Sequence, residues 1–150
     1  MAHAKRNQEH LGIDTNVLVA YLDREHPSHG RTGKLAEEAV ALNPTIIHEG
    51  YHTLVFKMKW TGMEASRILI QAMADDRNLF INQTLKTTKA GLRIAAENNL
   101  GGRDALILAN FLTAGIKEMV TLDDELIALK KVTYGKNTLT IASLAASRHP

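Results

Sequence analysis

The sequence predicts an α/β fold of three layers, in which a short, mainly parallel central sheet lies between two layers of helices. Short apolar runs alternate along the chain with longer segments of helical periodicity, an order typical of a parallel sheet covered on both faces. The chain has 150 residues, of which 45% are hydrophobic, and this is enough to form one domain with a substantial core. It contains neither internal repeats nor low-complexity tracts, which would indicate another architecture.

Composition excludes several classes of protein. The chain contains no cysteine, which excludes disulfides, thiolate metal sites and cysteine nucleophiles and is typical of a cytoplasmic protein. Its 18 basic and 16 acidic residues give a net charge of +2, which neither favours nor excludes a polyanionic partner. No apolar run approaches the roughly 20 residues that span a bilayer, so we expect no contact with a membrane. Residues 1–10 are polar and are interpreted as a flexible lead-in to a domain at 11–145, followed by a tail at 146–150.

The first half of the chain is predicted to supply two strands and four helices. Thr15 or Asn16 is expected near the cap of the first helix, since both residue types accept hydrogen bonds from backbone N–H groups at a helix start. Apolar residues at helical spacing predict the second helix, and Pro44 is expected to end it. The strands are predicted at residues 11–13 and 45–47, the helices at 17–22, 32–42, 49–60 and 64–74, and a loop at 23–30.

The second half is predicted to supply three strands and three helices. Gly101 and Gly102 interrupt the chain between the first two of these helices. The helix that follows the glycines is nearly all apolar, so it should be deeply packed. The strands are predicted at residues 79–81, 118–122 and 138–141, and the helices at 84–98, 104–114 and 124–130.

Four acidic residues are expected near one edge of this sheet. Asp14, Glu49 and Asp123 each follow a predicted strand, and Asp104 lies in the first turn of a helix after a glycine loop. In open parallel sheets, sites form beyond the carboxyl ends of the strands, which meet at a single edge. Carboxylates gathered there repel each other and raise each other's pKa unless a cation joins them. The sequence therefore predicts a divalent metal site.

Four short patterns occur in order along the chain: Asp14-x-Asn16, then Glu49 at a predicted strand-to-helix junction, then Arg103-Asp104-Ala105 opening an apolar helix, then Thr121-x-Asp123. Together they resemble the PIN domain family, most closely the prokaryotic VapC-type toxins, over about residues 11–141. The resemblance implies a PIN-like ribonuclease that holds Mg²⁺ or Mn²⁺ and hydrolyses a phosphodiester of RNA with an activated water. Hard cations of this kind prefer oxygen ligands, which these side chains supply.

The resemblance also implies a role for each residue. Asp14, Asp104 and Asp123 would be direct or water-bridged metal ligands, and Glu49 would position a water or a second ion. Asn16 and Thr121 would orient the carboxylates. The Thr-x-Asp spacing selects Asp123 over Asp124, which is then the cap or a first-turn residue of the next helix. The basic residues that would hold RNA phosphates are Arg103, Lys57 and Lys59.

Other interpretations stay open at this point. Each acidic residue taken alone is also explained as a helix cap or a first-turn charge. The pattern His48-Glu49-x-x-His52 matches a zinc metallopeptidase motif, in which two histidines at i and i+4 bind Zn²⁺. Two features oppose a zinc site: Gly50 weakens the required helix, and the predicted strand at 45–47 runs directly into His48. A PIN-type RNA-processing nuclease without an antitoxin and a catalytically silent RNA-binding module are further alternatives.

Residues 51–60 are more apolar than a lone surface helix needs. They are interpreted as core packing, a groove for a partner helix or a dimer interface. The resemblance implies the last two, because VapC-type toxins commonly form homodimers and are silenced by a cognate antitoxin. Tyr51 and Trp60 are candidates for stacking on RNA bases.

Overall fold

A computed structural model describes residues 10–144 of the chain as a single sheet with helices packed on it. The strands are β1 (Leu11–Ile13), β2 (Val40–Leu42), β3 (Leu79–Phe80), β4 (Glu118–Thr121), β5 (Lys131–Tyr134) and β6 (Asn137–Ser143). The α-helices are α1 (Thr15–Leu22), α2 (Pro44–Phe56), α3 (Gly62–Ala74), α4 (Leu85–Asn98), α5 (Gly102–Thr113) and α6 (Asp124–Leu129). A 3-10 helix at His29–Glu37 connects α1 to β2. Among the described residues, no helix is long and apolar enough to cross a membrane.

The sheet has the strand order β3-β2-β1-β4-β6-β5 and is parallel except for its last pair. β1 lies between β2 and β4, with Leu11 opposite both Val40 and Glu118. Because these strands are parallel, the chain leaves all three at the same edge. This arrangement confirms the predicted α/β class with a mainly parallel central sheet.

Helix α5 packs into the centre of the molecule, as its apolar sequence predicts. Ile107, Leu108, Phe111 and Leu112 on this helix are all buried. The ring of Phe111 lies so close to β1 that a Cβ atom placed on Gly12 would be 2.9 Å from it. Gly12 therefore allows the close approach of helix and sheet that sets the position of the β1 end.

The predicted strand at residues 45–47 is wrong, because this segment is the start of α2. Asn43 caps the helix by accepting a hydrogen bond from the N–H of Ile46 at 3.0 Å. Pro44 occupies the first turn, where its missing N–H costs nothing. A proline expected to end one helix thus begins another.

The predicted helix at residues 32–42 is also wrong. The 3-10 helix ends at Glu37, and β2 begins at Val40, pairs with β1 and is buried along its whole length. The apolar residues that suggested the end of a helix are those of a short central strand. Such short apolar runs are compatible with both structures.

The remaining differences are smaller. β5 was not predicted; it forms an antiparallel hairpin with β6 through a turn at Gly135, whose φ of 62° favours glycine. Asp14, rather than Thr15 or Asn16, caps α1. The predicted lead-in and tail lie outside the described residues, except that His10 is described and is buried.

Candidate active site

The ends of β1 and β4 bring Asp14 and Asp123 to one edge of the sheet. Asp14 follows β1 and caps α1, with its Oδ1 accepting from the N–H of Thr15 at 2.8 Å. Asp123 follows β4 and caps α6, with its Oδ1 accepting from the N–H of Glu125 at 2.8 Å. The two strands are neighbours, so both residues leave the sheet at the same place.

Thr121 joins these two acidic residues directly. Its hydroxyl donates to Oδ2 of Asp14 at 2.7 Å and accepts from the backbone N–H of Asp123 at 3.0 Å. Thr121 is itself fully buried, so this hydroxyl has no competition from solvent. This hydrogen bond holds the Asp14 carboxylate in one orientation.

Helices α5 and α2 add the other two carboxylates. Asp104 lies in the first turn of α5, and Glu49 lies in the middle of α2 rather than at its start. All four acidic residues line a single open cavity of about 810 Å³. The lining residues are Asp14, Thr15, Asn16, Val19, His26, His48, Glu49, His52, Thr53, Lys57, Arg103, Asp104 and Asp123.

Burial raises the pKa of the Asp14 carboxyl from 3.8 to about 6. The hydrogen bonds from Thr121 and Thr15 oppose this shift, while the negative charges of Asp104 and Glu49 add to it. Burial also raises the pKa of Asp104, assisted by the charges of Asp123 and Glu49 and opposed by Arg103. Neighbouring negative charges thus add to the raised pKa of Asp14 and of Asp104, and a cation beside these two groups would favour their charged forms.

Glu49 differs from the other three carboxylates because it already has charged and neutral partners. Its Oε1 accepts from the hydroxyl of Thr15 at 2.7 Å, and its Oε2 forms a salt bridge with Nη1 of Arg103 at 2.9 Å. Within residues 10–144, it is the only one of the four acidic residues that forms a salt bridge. The cavity therefore holds three carboxylates whose charge no such partner offsets.

The donor set fits a magnesium or manganese ion. Over the described part of the chain, no three His, Asp or Glu side chains converge closely enough to form a complete metal cage. Mg²⁺ does not need such a cage, because it usually takes one or two carboxylates and keeps several waters. The carboxylate oxygens of Asp14, Asp104 and Asp123, in an open cavity with room for waters, meet these requirements.

Of the other residues predicted for the site, some line the cavity and some lie outside it. Asn16 lines the cavity, but its Oδ1 accepts from the backbone N–H of Leu122 at 3.2 Å, so it holds the loop before Asp123 instead of a carboxylate. Asp124 lies in the first turn of α6 and does not line the cavity. Arg103 and Lys57 line it, whereas Lys59 lies outside it.

Thr15 was predicted only as a helix cap, and its hydroxyl in fact contacts Glu49 in the site. His26, from the loop after α1, also lines the cavity. His48 and His52 both lie on α2 and line the cavity with His26. The helical geometry of the zinc motif is therefore present, contrary to the expectation that a strand precedes His48. A zinc site needs three or four protein ligands together, and no such group occurs among residues 10–144.

The two aromatic residues proposed to stack on bases are engaged elsewhere. Nε1 of Trp60 donates to Oδ2 of Asp23 at 3.1 Å, and the Trp60 ring is partly buried against the core. The hydroxyl of Tyr51 lies against Gly62, where an added Cβ atom would be 2.8 Å from it. Neither residue lines the acidic cavity.

Comparison with known proteins gives one family and several similar structures. The family model described as the PIN domain matches residues 12–132. VapC20 from Mycobacterium tuberculosis, a sarcin-ricin loop cleaving toxin, has a similar structure with a TM-score of 0.62 and 15% identity, over 73% of this chain and 86% of that one. VapBC2 from Rickettsia felis, in a structure bound to a promoter DNA fragment, is similar with a TM-score of 0.61 and 16% identity, over 89% of this chain and 97% of that one.

A toxin–antitoxin complex from Klebsiella pneumoniae is similar with a TM-score of 0.55 and 17% identity, over 75% of this chain and 86% of that one. At such low identities, these structures show a shared fold and no more. No protein with a curated description is significantly similar in sequence.

Proposed function

The chain belongs to the PIN domain family, as its sequence patterns indicate, and from this premise we propose that it is a metal-dependent endoribonuclease. The observation that carries the proposal is the buried carboxylate of Asp14, which shares one cavity with Glu49, Asp104 and Asp123. Burying a carboxylate costs several kcal/mol unless partners stabilise it. The hydrogen bonds from Thr121 and Thr15 offset only part of this cost, because the pKa of Asp14 stays raised to about 6, and a bound cation would offset the rest. Divalent cations are the usual partners in this family.

Asp14, Asp104 and Asp123 are the residues that would hold Mg²⁺ or Mn²⁺. A bound ion of this kind lowers the pKa of a coordinated water and offsets negative charge on a phosphate. The hydroxyl of Thr121 keeps the Asp14 carboxylate in one orientation and ties the end of β1 to β4, while it also accepts from the N–H of Asp123. These contacts pre-organise the site before any ligand arrives.

Three further residues at the cavity would act on the water and the RNA: Glu49 would orient the water, and Arg103 and Lys57 would contact phosphates. The Thr15 hydroxyl and Arg103 hold the Glu49 carboxylate at the cavity wall, where it can orient a water. Arg103 has a side chain that is 79% exposed, so it can leave Glu49 for a phosphate at little cost. Lys57 also lines the cavity and would supply a second cation.

We further propose that the chain is the toxin of a VapBC-type pair, acts on cytoplasmic RNA and forms a homodimer. Support comes from the similar structures, one of which is a VapC toxin and another a VapBC pair on promoter DNA. A cognate antitoxin would silence the nuclease by covering the acidic cavity. Inhibition of cleavage by the product of an adjacent gene for a small DNA-binding protein tests this step. Without such a gene, an RNA-processing nuclease is the better interpretation.

The central test is cleavage of a panel of structured RNAs with Mg²⁺, Mn²⁺, Zn²⁺ or EDTA. We expect cleavage with Mg²⁺ or Mn²⁺ that falls about a hundredfold or more in Asp14→Asn, as is typical when an electrostatic group is removed from an active site. Asp76→Asn is the matched control, because Asp76 is exposed and does not line the cavity. Cleavage that survives EDTA or Asp14→Asn would refute the mechanism. RNA binding without any cleavage would favour the silent module.

The histidines of α2 define the alternative outcome. Peptide hydrolysis that requires Zn²⁺ and is lost in His48→Ala would assign a zinc peptidase instead. The position of His48 and His52 on one face of a single helix is the only feature in residues 10–144 that favours this chemistry.

A further inference from the structure

One face of α2 carries an exposed pair of rings at the rim of the acidic cavity. His48, His52 and Phe56 are spaced four residues apart, so their side chains follow one another along the same face of the helix. The first two line the cavity, and Phe56 lies one turn beyond it. The row therefore leads from the carboxylates outward along the protein surface.

The rings of His52 and Phe56 are already in contact. Their centroids are 4.9 Å apart and their planes are tilted by 39°. The core-facing side of α2 is made by other residues, namely Ile46, Ile47, Gly50 and Leu54. Phe56 is 61% exposed, so packing does not explain its presence. The two tilted rings form an exposed aromatic surface, apolar at Phe56 and polar at His52, beside the acidic cavity.

Cations flank this ring pair. Lys57 lines the cavity, and Nζ of Lys59 donates to the backbone carbonyl of Phe56 at 3.4 Å. Lys59 has a φ of 68°, a conformation in which glycine is favoured and lysine costs energy. The chain thus keeps a lysine beside the ring where a glycine would be more stable.

Exposed rings with basic side chains beside them are the features by which many proteins bind single-stranded nucleic acid. Aromatic side chains stack on bases, while basic groups follow the phosphates. Continuous RNA duplex cannot use such a surface, because its bases are stacked on each other. The occupant that fits rings and cations next to a carboxylate cavity is an RNA segment with an unpaired base.

We propose that His52 and Phe56 form a stacking platform for an unpaired base of the RNA substrate, with Lys57 and Lys59 contacting its backbone. The inference rests on the proposed nuclease function and deepens it, since it names the side chains that would hold a base of the substrate beside the acidic cavity. It also replaces Tyr51 and Trp60 as the stacking residues.

The test is binding of a short single-stranded RNA that carries 2-aminopurine, a base whose fluorescence is quenched on stacking. Asp14→Asn is the background for every variant, so that RNA is bound without being cleaved. We expect Phe56→Ala and Phe56→Leu to weaken binding about tenfold and to abolish the quenching, a loss typical of one stacked base. Phe56→Trp should retain both signals. Leu92→Ala is the control, because Leu92 is equally exposed at 68% but lies on α4.

Leucine at position 56 separates stacking from ordinary apolar contact, since it keeps the hydrophobic surface and loses the ring. Unchanged RNA affinity and quenching in Phe56→Ala, with binding in the Asp14→Asn background intact, would overturn the platform and leave the nuclease standing. Absence of both RNA binding and wild-type cleavage would instead refute the proposed function. Loss of a protein partner in Phe56→Ala, with RNA binding unaffected, would assign the rings to a protein interface and overturn the proposal.

Lys59→Gly gives a second readout that a purely structural lysine would not produce. Glycine relieves the strain of the positive φ, so the Tm should rise. RNA binding should weaken at the same time. The slope of the logarithm of the binding constant against the logarithm of the salt concentration should become shallower by about 0.7, the change expected for one phosphate contact on a single strand. A variant that gains stability and keeps the full affinity and salt slope would remove Lys59 from the platform.

Discussion

Asp14 is the residue in which stability and function oppose each other most directly. The folded protein raises the pKa of this carboxyl to about 6 through burial, from 3.8 in the unfolded chain. Between these two values the folded state binds a proton that the unfolded state does not. The free energy of unfolding must therefore fall as the pH rises from about 4 to 6 and remain low above that range. A shift of this size corresponds to about 3 kcal/mol.

Asp14→Asn should remove this pH dependence. We expect the variant to be less stable relative to wild type at pH 4.5 than at pH 7.5, because only wild type has a group at position 14 that gains a proton on acidification. Urea unfolding of both proteins in EDTA across this range measures the difference. Asp104, whose pKa is also raised by burial, leaves a smaller slope of the same sign in the variant. Parallel stability profiles of the two proteins would contradict the assignment.

Substitution of Arg103 should change the affinities for metal and for RNA in opposite directions. Its guanidinium lowers the pKa of Asp104 and pairs with Glu49, so it reduces the negative charge of the cavity. Arg103→Gln should tighten Mn²⁺ binding about two- to fivefold, a range typical of one partly screened charge, and should weaken RNA binding.

The fold of Arg103→Gln should be unaffected, because an ion pair with so exposed a partner contributes under about 1 kcal/mol. Electron paramagnetic resonance of Mn²⁺ and fluorescence anisotropy of labelled RNA measure the two affinities. Lys86→Gln, on α4 and outside the cavity, is the control. Weaker binding of both ligands would mean that Arg103 supports the site structurally.

At the scale of elements, β1 has one position where side-chain volume decides stability. A Cβ atom on Gly12 would lie 2.9 Å from two ring atoms of Phe111, which is fully buried and cannot move aside. Gly12→Ala should therefore destabilise the protein by about 1–3 kcal/mol, as overpacking does. Because Asp14 follows two residues later, cleavage should fall as well.

Gly33→Ala is the matched control for Gly12→Ala, since nothing lies within 4 Å of an added Cβ atom there. It should stabilise by about 0.4–1 kcal/mol through the unfolded chain. Chemical denaturation of both variants, and of Gly12→Ala combined with Phe111→Leu, tests the explanation. If the smaller residue at 111 rescues none of the loss, the contact with Phe111 is not its cause.

Comparison of the predicted with the observed helices and strands shows which of them the sequence predicts. Helices with strong periodicity and caps were found nearly in full, including α3, where Thr61 and Glu64 form a capping box, and α4, which Thr84 caps. Both errors concern three-residue apolar segments, 40–42 and 45–47, whose length does not distinguish strand from helix. The parallel pairing of β2 with β1 decides the first, and the Asn43 cap decides the second. Contacts of this kind cannot be predicted from the composition of the segment alone.

At the scale of the whole molecule, the location of the acidic cavity was predictable although two elements were not. The alternation of elements predicts parallel strands whose carboxyl ends meet at one edge, which is enough to bring Asp14 and Asp123 to the same side of the sheet. The direct pairing of β1 with β4 is known only from the structure. Glu49 reaches the same edge from within α2, so the error in the preceding segment did not displace it. The pairing of Glu49 with Thr15 and Arg103 depends on how α1, α2 and α5 pack, and no sequence pattern contained it.

The convergence of three segments on one charged cavity couples ligand binding to the stability of the whole domain. β1, β4 and α5 each contribute an acidic residue, and unfolding would separate them. An ion that binds only the folded state adds about 2.7 kcal/mol at a hundredfold excess over its Kd. Saturating Mn²⁺ should therefore raise the Tm of the wild-type protein by several degrees at pH 7.5, and EDTA should reverse the shift.

The size of this shift should depend on pH through Asp14. A proton competes with the metal below the raised pKa of about 6, so the same Mn²⁺ concentration should stabilise the protein much less at pH 5 than at pH 7.5. Asp14→Asn should abolish the shift at both pH values, whereas Asp76→Asn should retain it. Differential scanning calorimetry with and without Mn²⁺ makes the comparison. A Tm shift that is equal in Asp14→Asn and wild type would place the metal elsewhere on the protein and separate the acidic cavity from the chemistry proposed for it.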